Sequence, residues 1–241
     1  MTLLELDKVS KKFGALTVAD SISFSVAEGE ALGIIGPNGA GKSTLFNLIT
    51  GNIRVDAGQV TFDGADVTRQ PPMARCLAGI GRTFQIPQPF EKLTVFENLL
   101  VAATFGARKR ESDVSDDCAM ILAETGLLSR ANQPAGSLSL LHRKRLELAR
   151  ALATNPRVLL LDEVAGGLVE HETAPLVELV KAVSASGVSI VWIEHIVHAL
   201  IAAVDRLVVL HGGALIAEGD PAEVIRRPQV AEIYMGIEAD V

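Results

Sequence analysis

A chain of 241 residues, 49% of them hydrophobic, carries enough apolar material for one α/β domain with an attached lobe that folds alone. Its 22 basic and 29 acidic residues leave a net charge of −7, which argues against a nucleic-acid partner held on a broad basic face. No run approaches the ~18 uninterrupted apolar residues of a membrane span, the start lacks the basic head and apolar middle of a signal peptide, and Cys76 and Cys118 stand apart without a CxxC or a nearby His, so a cytoplasmic chain without a zinc site or disulfide framework is expected.

Residues 1 to about 35 alternate short apolar and polar runs with turns at Phe13-Gly14 and Glu28-Gly29, the pattern of several strands. The last of these runs, Glu30 to Ile35, leads into Gly36, Pro37, Asn38, Gly39, Ala40, Gly41, Lys42, Ser43 and Thr44, a phosphate-binding loop of pattern GxxxxGK[ST]. Leu45, Leu48 and Ile49 then recur at helical spacing until Gly51. Strand, glycine loop and helix form the context that this pattern requires, and nucleotide binding is the expectation. Polyphosphate must be met by backbone N–H groups brought close, which glycines at 36, 39 and 41 permit. Lys42 is suited to the β- and γ-phosphates as a point charge, and the Ser43 hydroxyl to Mg²⁺.

A second strand-turn pair is expected at Val60 to Phe62 and Asp63-Gly64. From about residue 86 the character changes: Pro87 and Pro89 precede a helical stretch over Val95 to Thr104, and Arg108-Lys109-Arg110 with the acids through Asp117 reads as a solvated loop. A helix from near Asp116 to Thr125 is closed by Gly126. The strand pattern returns at Val158 to Leu161 and ends in Asp162-Glu163, so a buried strand delivers two carboxylates to its C-terminal edge, where ligands bind in open α/β sheets. Asp162 is placed to hold Mg²⁺, usually through water, and Glu163 to act as a general base on an attacking water. A helix with Leu176, Leu179, Val180 and Val183 on one face follows, then a strand from Val188 to Ile193 that brings His195 to the same edge. Leu207 to Leu210 and Ala214 to Ala217 flank His211-Gly212-Gly213 as a hairpin.

These residues, in this order, resemble the ATP-binding subunit of ATP-binding-cassette (ABC) transporters over essentially the whole chain. Gly36 to Thr44 looks like its Walker A motif, Phe84-Gln85 its glutamine loop, Val158 to Glu163 its Walker B strand with the catalytic glutamate, and His195 its switch histidine. Gly81 to Gln85, Leu93 to Leu99, Ile193-Glu194-His195 and Ala217 to Val224 look like the ATPases of branched-chain amino acid importers. The resemblance implies an α/β fold: a P-loop nucleotide-binding core with an antiparallel β subdomain and a helical subdomain. One ABC ATPase domain over 1–241 is expected, with 1–85 and 156–241 as core and 86–155 as helical lobe. It implies ATP and Mg²⁺ as cofactors, and a head-to-tail pair of subunits, homo- or heterodimeric, closing on two ATP molecules. Permease subunits would hold the pair at the inner face of the membrane, with a solute-binding protein in the assembled system and no nucleic acid. Phe13 matches the aromatic that stacks on adenine, the other reading being a core aromatic. Gln85 matches the residue that senses Mg²⁺ and couples to the membrane partner, and His195 the γ-phosphate contact.

The chain departs from the family at its signature, where the pattern LSGGQ is replaced by Leu138-Ser139-Leu140-Leu141-His142. Ser139 still reads as a helix cap facing the partner's nucleotide, with Leu141, Arg145, Leu148 and Leu152 near one stripe and the leucines at 140 and 141 turned away. Val164 replaces the proline after the catalytic glutamate, and Val169 stands where Asn or Asp is usual. The expected function is an Mg²⁺-dependent ATPase energising uptake of branched-chain or related amino acids. The alternatives are an envelope-lipid export ATPase, a non-transport ABC ATPase or nucleotide switch, and a module that binds nucleotide but hydrolyses it weakly.

Overall fold

The computed structural model describes residues 1–238. In chain order, β1 (Thr2–Phe13), β2 (Leu16–Ala27) and β3 (Ala31–Ile35) lead into α1 (Lys42–Thr50). β4 (Ala57–Phe62), β5 (Ala65–Asp66), α2 (Pro72–Ala78) and β6 (Ile80–Arg82) precede the helical stretch α3 (Val95–Val101), α4 (Glu111–Glu124) and α5 (Leu140–Ala153). The chain then runs through β7 (Val158–Asp162), α6 (Glu170–Ala185), β8 (Ser189–Ile193), α7 (Val197–Ile201), β9 (Arg206–His211), β10 (Ala214–Gly219), α8 (Pro221–Ile225) and α9 (Pro228–Glu238).

Two sheets form the frame. A four-stranded antiparallel sheet has the order β2-β1-β4-β5, and a six-stranded sheet has the order β10-β9-β3-β8-β7-β6. In the second, β9, β3, β8, β7 and β6 are parallel, and β10 closes one edge antiparallel to β9. Every residue of β3, β7 and β8 is buried, which is why these segments read as unbroken apolar runs. Alternate side chains feed separate layers. Leu32, Ile34, Leu160, Val191 and Ile193 pack with α1 and the antiparallel sheet, while Ile35, Leu159, Leu161, Ile190 and Trp192 pack with Leu176 and Val180 of α6 and Leu200 of α7. A third core joins Val95, Leu99, Val114, Cys118 and Leu122 of the helical stretch.

α5 belongs to two of these cores. Leu146, Ala149 and Ala153 enter the helical core, and Leu148 and Ala151 enter the core beneath the sheet.

Three boundaries differ from expectation. α4 begins at Glu111, so all of the expected charged loop after Arg110 is helix; Glu111 and Asp113 occupy its first turn, where acids complement the helix dipole, and Lys109 pairs with Asp117 at 2.9 Å. The preceding helix is α-helical only to Val101 and continues as a wider π turn over Ala102–Gly106. β8 starts at Ser189, whose hydroxyl accepts the Gly29 N–H at 2.8 Å, and not at Val188. The unanticipated α2 contributes Arg75, a buried guanidinium that donates to the carbonyls of Leu48 and Ile49 at 2.8 and 2.7 Å and so satisfies the C-terminal end of α1.

Candidate active site

The loop Gly36–Gly41 leaves the end of β3 in the middle of the sheet, between β9 and β8. Its glycines answer first to the protein's own backbone. A Cβ on Gly36 would lie 2.3 Å from the Leu210 carbonyl oxygen of β9, and one on Gly41, where φ is +100°, would lie 2.4 Å from that of Val18 in β2. The β9–β10 turn completes the cradle, since Gly213 donates to the Ala40 carbonyl at 3.2 Å and accepts from Asp20 at 2.8 Å. No side chain caps α1, so its first-turn N–H groups face the loop together with the positive end of the helix dipole. Lys42 is buried and its ammonium donates to the Gly36 and Pro37 carbonyls at 2.6 and 3.1 Å. Burial lowers its pKa, and the charges of Glu163 and Asp162 oppose that shift. Ser43 is exposed.

Asp162 ends β7 almost wholly buried. One carboxylate oxygen accepts from Arg82 Nη2 at 3.0 Å, while the other, Oδ1, is buried without a hydrogen-bond partner. Burial raises its pKa, and the Arg82 hydrogen bond opposes the rise. Glu163 follows with φ +47°, a left-handed conformation unusual for a non-glycine residue. Its two carboxylate oxygens are shared: Oε1 lies 2.6 Å from His195 Nε2, and Oε2 accepts from Gln85 Nε2 at 2.5 Å. Gln85, Glu163 and His195, which lie far apart in sequence, therefore meet on one carboxylate at the C-terminal edge of the sheet.

Three further residues support this cluster without a sequence signal that isolates them. Arg82 at the end of β6 bridges Asp162 to Asn47 Oδ1 of α1 at 2.6 Å, with its guanidinium 4.9 Å from the Phe84 ring centre. Glu194, buried at the end of β8, accepts from the Ala165 N–H at 2.7 Å and the His195 N–H at 3.0 Å. Lys144 of α5 donates to the main-chain carbonyls of Gln85 and Glu163.

Two residues of the expected set stand elsewhere. Phe13 is exposed at the end of β1 beside Leu16, with the Lys11 ammonium 5.5 Å from its ring centre, so it is not a core aromatic. Ser139 is the N-cap of α5; its hydroxyl pairs with His142 Nδ1 at 2.7 Å and accepts the His142 N–H at 3.5 Å. No hydrogen bond among the described residues joins it to the phosphate loop or to Glu163. Leu140 is exposed, and its Cδ2 lies 3.4 Å from where a Cβ on Gly167 would stand, while Leu141 is half-buried.

The family model described as ABC transporter matches residues 19–166. The chain is 35% identical to a probable branched-chain amino acid transport ATP-binding protein LivG of Methanocaldococcus jannaschii over 98% of both chains. It is 34% identical to the high-affinity branched-chain amino acid transport ATP-binding protein BraF of Pseudomonas aeruginosa over 97% of this chain and 98% of the relative. Among solved structures, the ADP conformation of an ATP-binding cassette of an ABC transporter superposes with a TM-score of 0.90 at 34% identity, over 98% of this chain and 99% of the other. A dimeric cassette in a post-hydrolysis state bound to ADP and phosphate superposes with a TM-score of 0.80 at 26% identity, over 91% of this chain and 99% of the other.

Proposed function

The chain belongs to the ATP-binding subunits of ABC transporters, and from that premise we propose that its hydrolysis of ATP drives uptake of branched-chain or closely related amino acids. The observation that carries the solute class is similarity over nearly the full length of both chains to subunits named for that transport.

In this reading Lys42 exchanges the Gly36 and Pro37 carbonyls for phosphate oxygens, and the first-turn amides of α1 hold the same phosphates. The residues fit Mg²⁺: the unpartnered Asp162 Oδ1 and the exposed Ser43 hydroxyl are oxygen ligands of the kind it takes, and Gln85, hydrogen-bonded to the adjoining Glu163, offers an amide oxygen. When bound, the ion neutralises charge that builds on the phosphate oxygens. Glu163 accepts a proton from the attacking water, and His195, already on Oε1, turns between that carboxylate and the γ-phosphate. Phe13 stacks on adenine. Ser139 faces the nucleotide of a second copy, which accounts for its place outside this chain's own cluster.

A cleft of about 360 Å³ opens between β6 and the helical lobe. Phe84, Phe90 and Phe105 line it while 43%, 47% and 75% exposed, a concentration of bare aromatic surface that marks an interaction site. In this reading its occupant is a permease segment, and the adjacency of Phe84 to Gln85 in the chain supports a link from that contact to Glu163. No helix among the described residues is long and apolar enough to cross a membrane, and in this reading the permease holds the subunit at the cytoplasmic face.

The test is transport by the complex reconstituted in vesicles with its permease and solute-binding subunits. ATP-dependent accumulation of labelled leucine, isoleucine or valine that disappears with Glu163→Gln supports the reading. ATP-dependent movement of phospholipid with no amino acid uptake replaces it with the export alternative.

A further inference from the structure

Lys144 is 3% exposed, yet it takes part in no ion pair among the described residues. A buried ammonium requires compensation, and here it comes from main-chain oxygens. Nζ donates to the Gln85 carbonyl at 2.9 Å and to the Glu163 carbonyl at 2.8 Å. The side chains of those same two residues are hydrogen-bonded to each other at 2.5 Å. One cation thus holds the backbone at both ends of the Gln85–Glu163 contact.

The hold on Glu163 has a specific object. Its left-handed φ of +47° is unfavourable for a residue with a Cβ and persists only where surrounding contacts impose it. The Glu163 N–H donates to the Ile193 carbonyl at 2.9 Å, its carbonyl accepts from Gly166 at 3.1 Å as well as from Lys144, and Glu194 holds Ala165 from below. Of these contacts, Lys144 alone comes from α5, the helix that begins at Ser139.

We propose that Lys144 is a positioning residue for hydrolysis, fixing the backbone of Glu163 and Gln85 as a unit and tying the angle of the Glu163 carboxylate to the position of α5. Movement of α5 against the sheet is then felt directly at the base. The proposal rests on the reading of Glu163 as that base, and it separates Lys144 from nucleotide binding, because its contacts are to Gln85 and Glu163 and not to the phosphate loop.

The experiment compares Lys144→Met and Lys144→Arg in the full chain, each alone and with Glu163→Gln, by binding of a fluorescent ATP analogue and by phosphate release at saturating Mg-ATP. Lys144→Met is expected to keep the nucleotide Kd within about threefold while kcat falls at least about tenfold, the split that marks an interaction used only in the reaction. Lys144→Arg, which keeps a charged donor, is expected to recover most of the rate. On a Glu163→Gln background Lys144→Met is expected to change the residual rate by less than about twofold, because residues acting through one group are not additive. A parental kcat in Lys144→Met, or Kd and kcat that worsen together, overturns the proposal. Should Lys144→Met fail to fold, Lys144→Gln, which keeps a neutral amide donor group but loses the charge and the reach, is read against the same outcomes. A parental rate in Glu163→Gln itself overturns the base assignment, whereas an inactive Glu163→Gln beside a fully active Lys144→Met overturns only the role of Lys144.

Discussion

With Glu163 as the proposed base, Glu163→Gln isolates proton acceptance from every other property of the site. The glutamine has the same shape, and its two terminal atoms can serve both existing neighbours: the amide oxygen accepts from Gln85 Nε2, and the amide NH₂ donates to His195 Nε2 when the imidazole proton sits on Nδ1. Glu163 is 9% exposed, so bulk water does not fill in for the lost base. General base catalysis contributes roughly 10²- to 10⁴-fold, which at 1.36 kcal/mol per decade raises the barrier by about 2.7–5.5 kcal/mol. Nucleotide affinity should stay within about threefold, because only groups that change between ground and transition state alter the rate alone. Phosphate release at saturating Mg-ATP measures the first quantity, equilibrium binding the second, and sedimentation should find an ATP-bound dimer that accumulates because it cannot hydrolyse. Release within about threefold of the parent, with binding intact, would falsify the role of Glu163.

If Lys42 meets phosphate as proposed, Lys42→Ala should lower nucleotide affinity by about 1.5–3 kcal/mol, roughly ten- to 150-fold in equilibrium binding; unchanged affinity rules out the exchange of carbonyls for phosphate. Gly36→Ala puts a methyl 2.3 Å from the Leu210 oxygen, an overpacking cost of about 1–3 kcal/mol that should lower the melting temperature by several degrees, and a parental melting curve contradicts the close approach. Ser139→Ala should slow hydrolysis by the dimer about ten- to a hundredfold; a silent substitution with ATP-driven dimerisation preserved places the contact between copies at another residue. Burial raises the Glu147 pKa from its ordinary 4.5, so its contribution to stability is fully present below that value and is lost as pH rises through the raised one. Glu147→Gln does not ionise, and its melting temperature relative to the parent should therefore climb from acid toward neutral pH, a flat or falling difference being the contrary result.

What was legible in the sequence was local. Gly36 to Thr44 announces itself because a phosphate-loop motif is continuous in the chain, and Val158 to Leu161 reads as a buried strand because a parallel strand covered on both faces is an unbroken apolar run. The cap at Ser139 was legible for the same reason, since a cap and its helix are neighbours. Lys144 was not. On a helix rich in Arg and Lys it reads as part of a solvated face, and only the wedging of α5 between two cores turns it inward. Arg82 and Arg75 share that difficulty, because their partners at Asp162 and at Leu48 and Ile49 lie 80, 27 and 26 residues away. The start of α4 was misplaced because charged residues look like loop until their placement at a helix N-terminus gives them a reason.

The order of strands in the large sheet has a bearing on how the chain is made. β3, which carries the phosphate loop, is synthesised early, yet its two neighbours β8 and β9 begin at residues 189 and 206, and the turn that grips Ala40 sits at Gly213. A nascent chain leaving the ribosome displays Gly36 to Thr44 long before anything can hold it in shape. Until those neighbours arrive, β3 is an apolar strand with both edges open, the kind of segment that chaperones shield and that aggregates when left unshielded. The cradle around Gly36 to Thr44 is therefore complete only once the chain has passed Gly213.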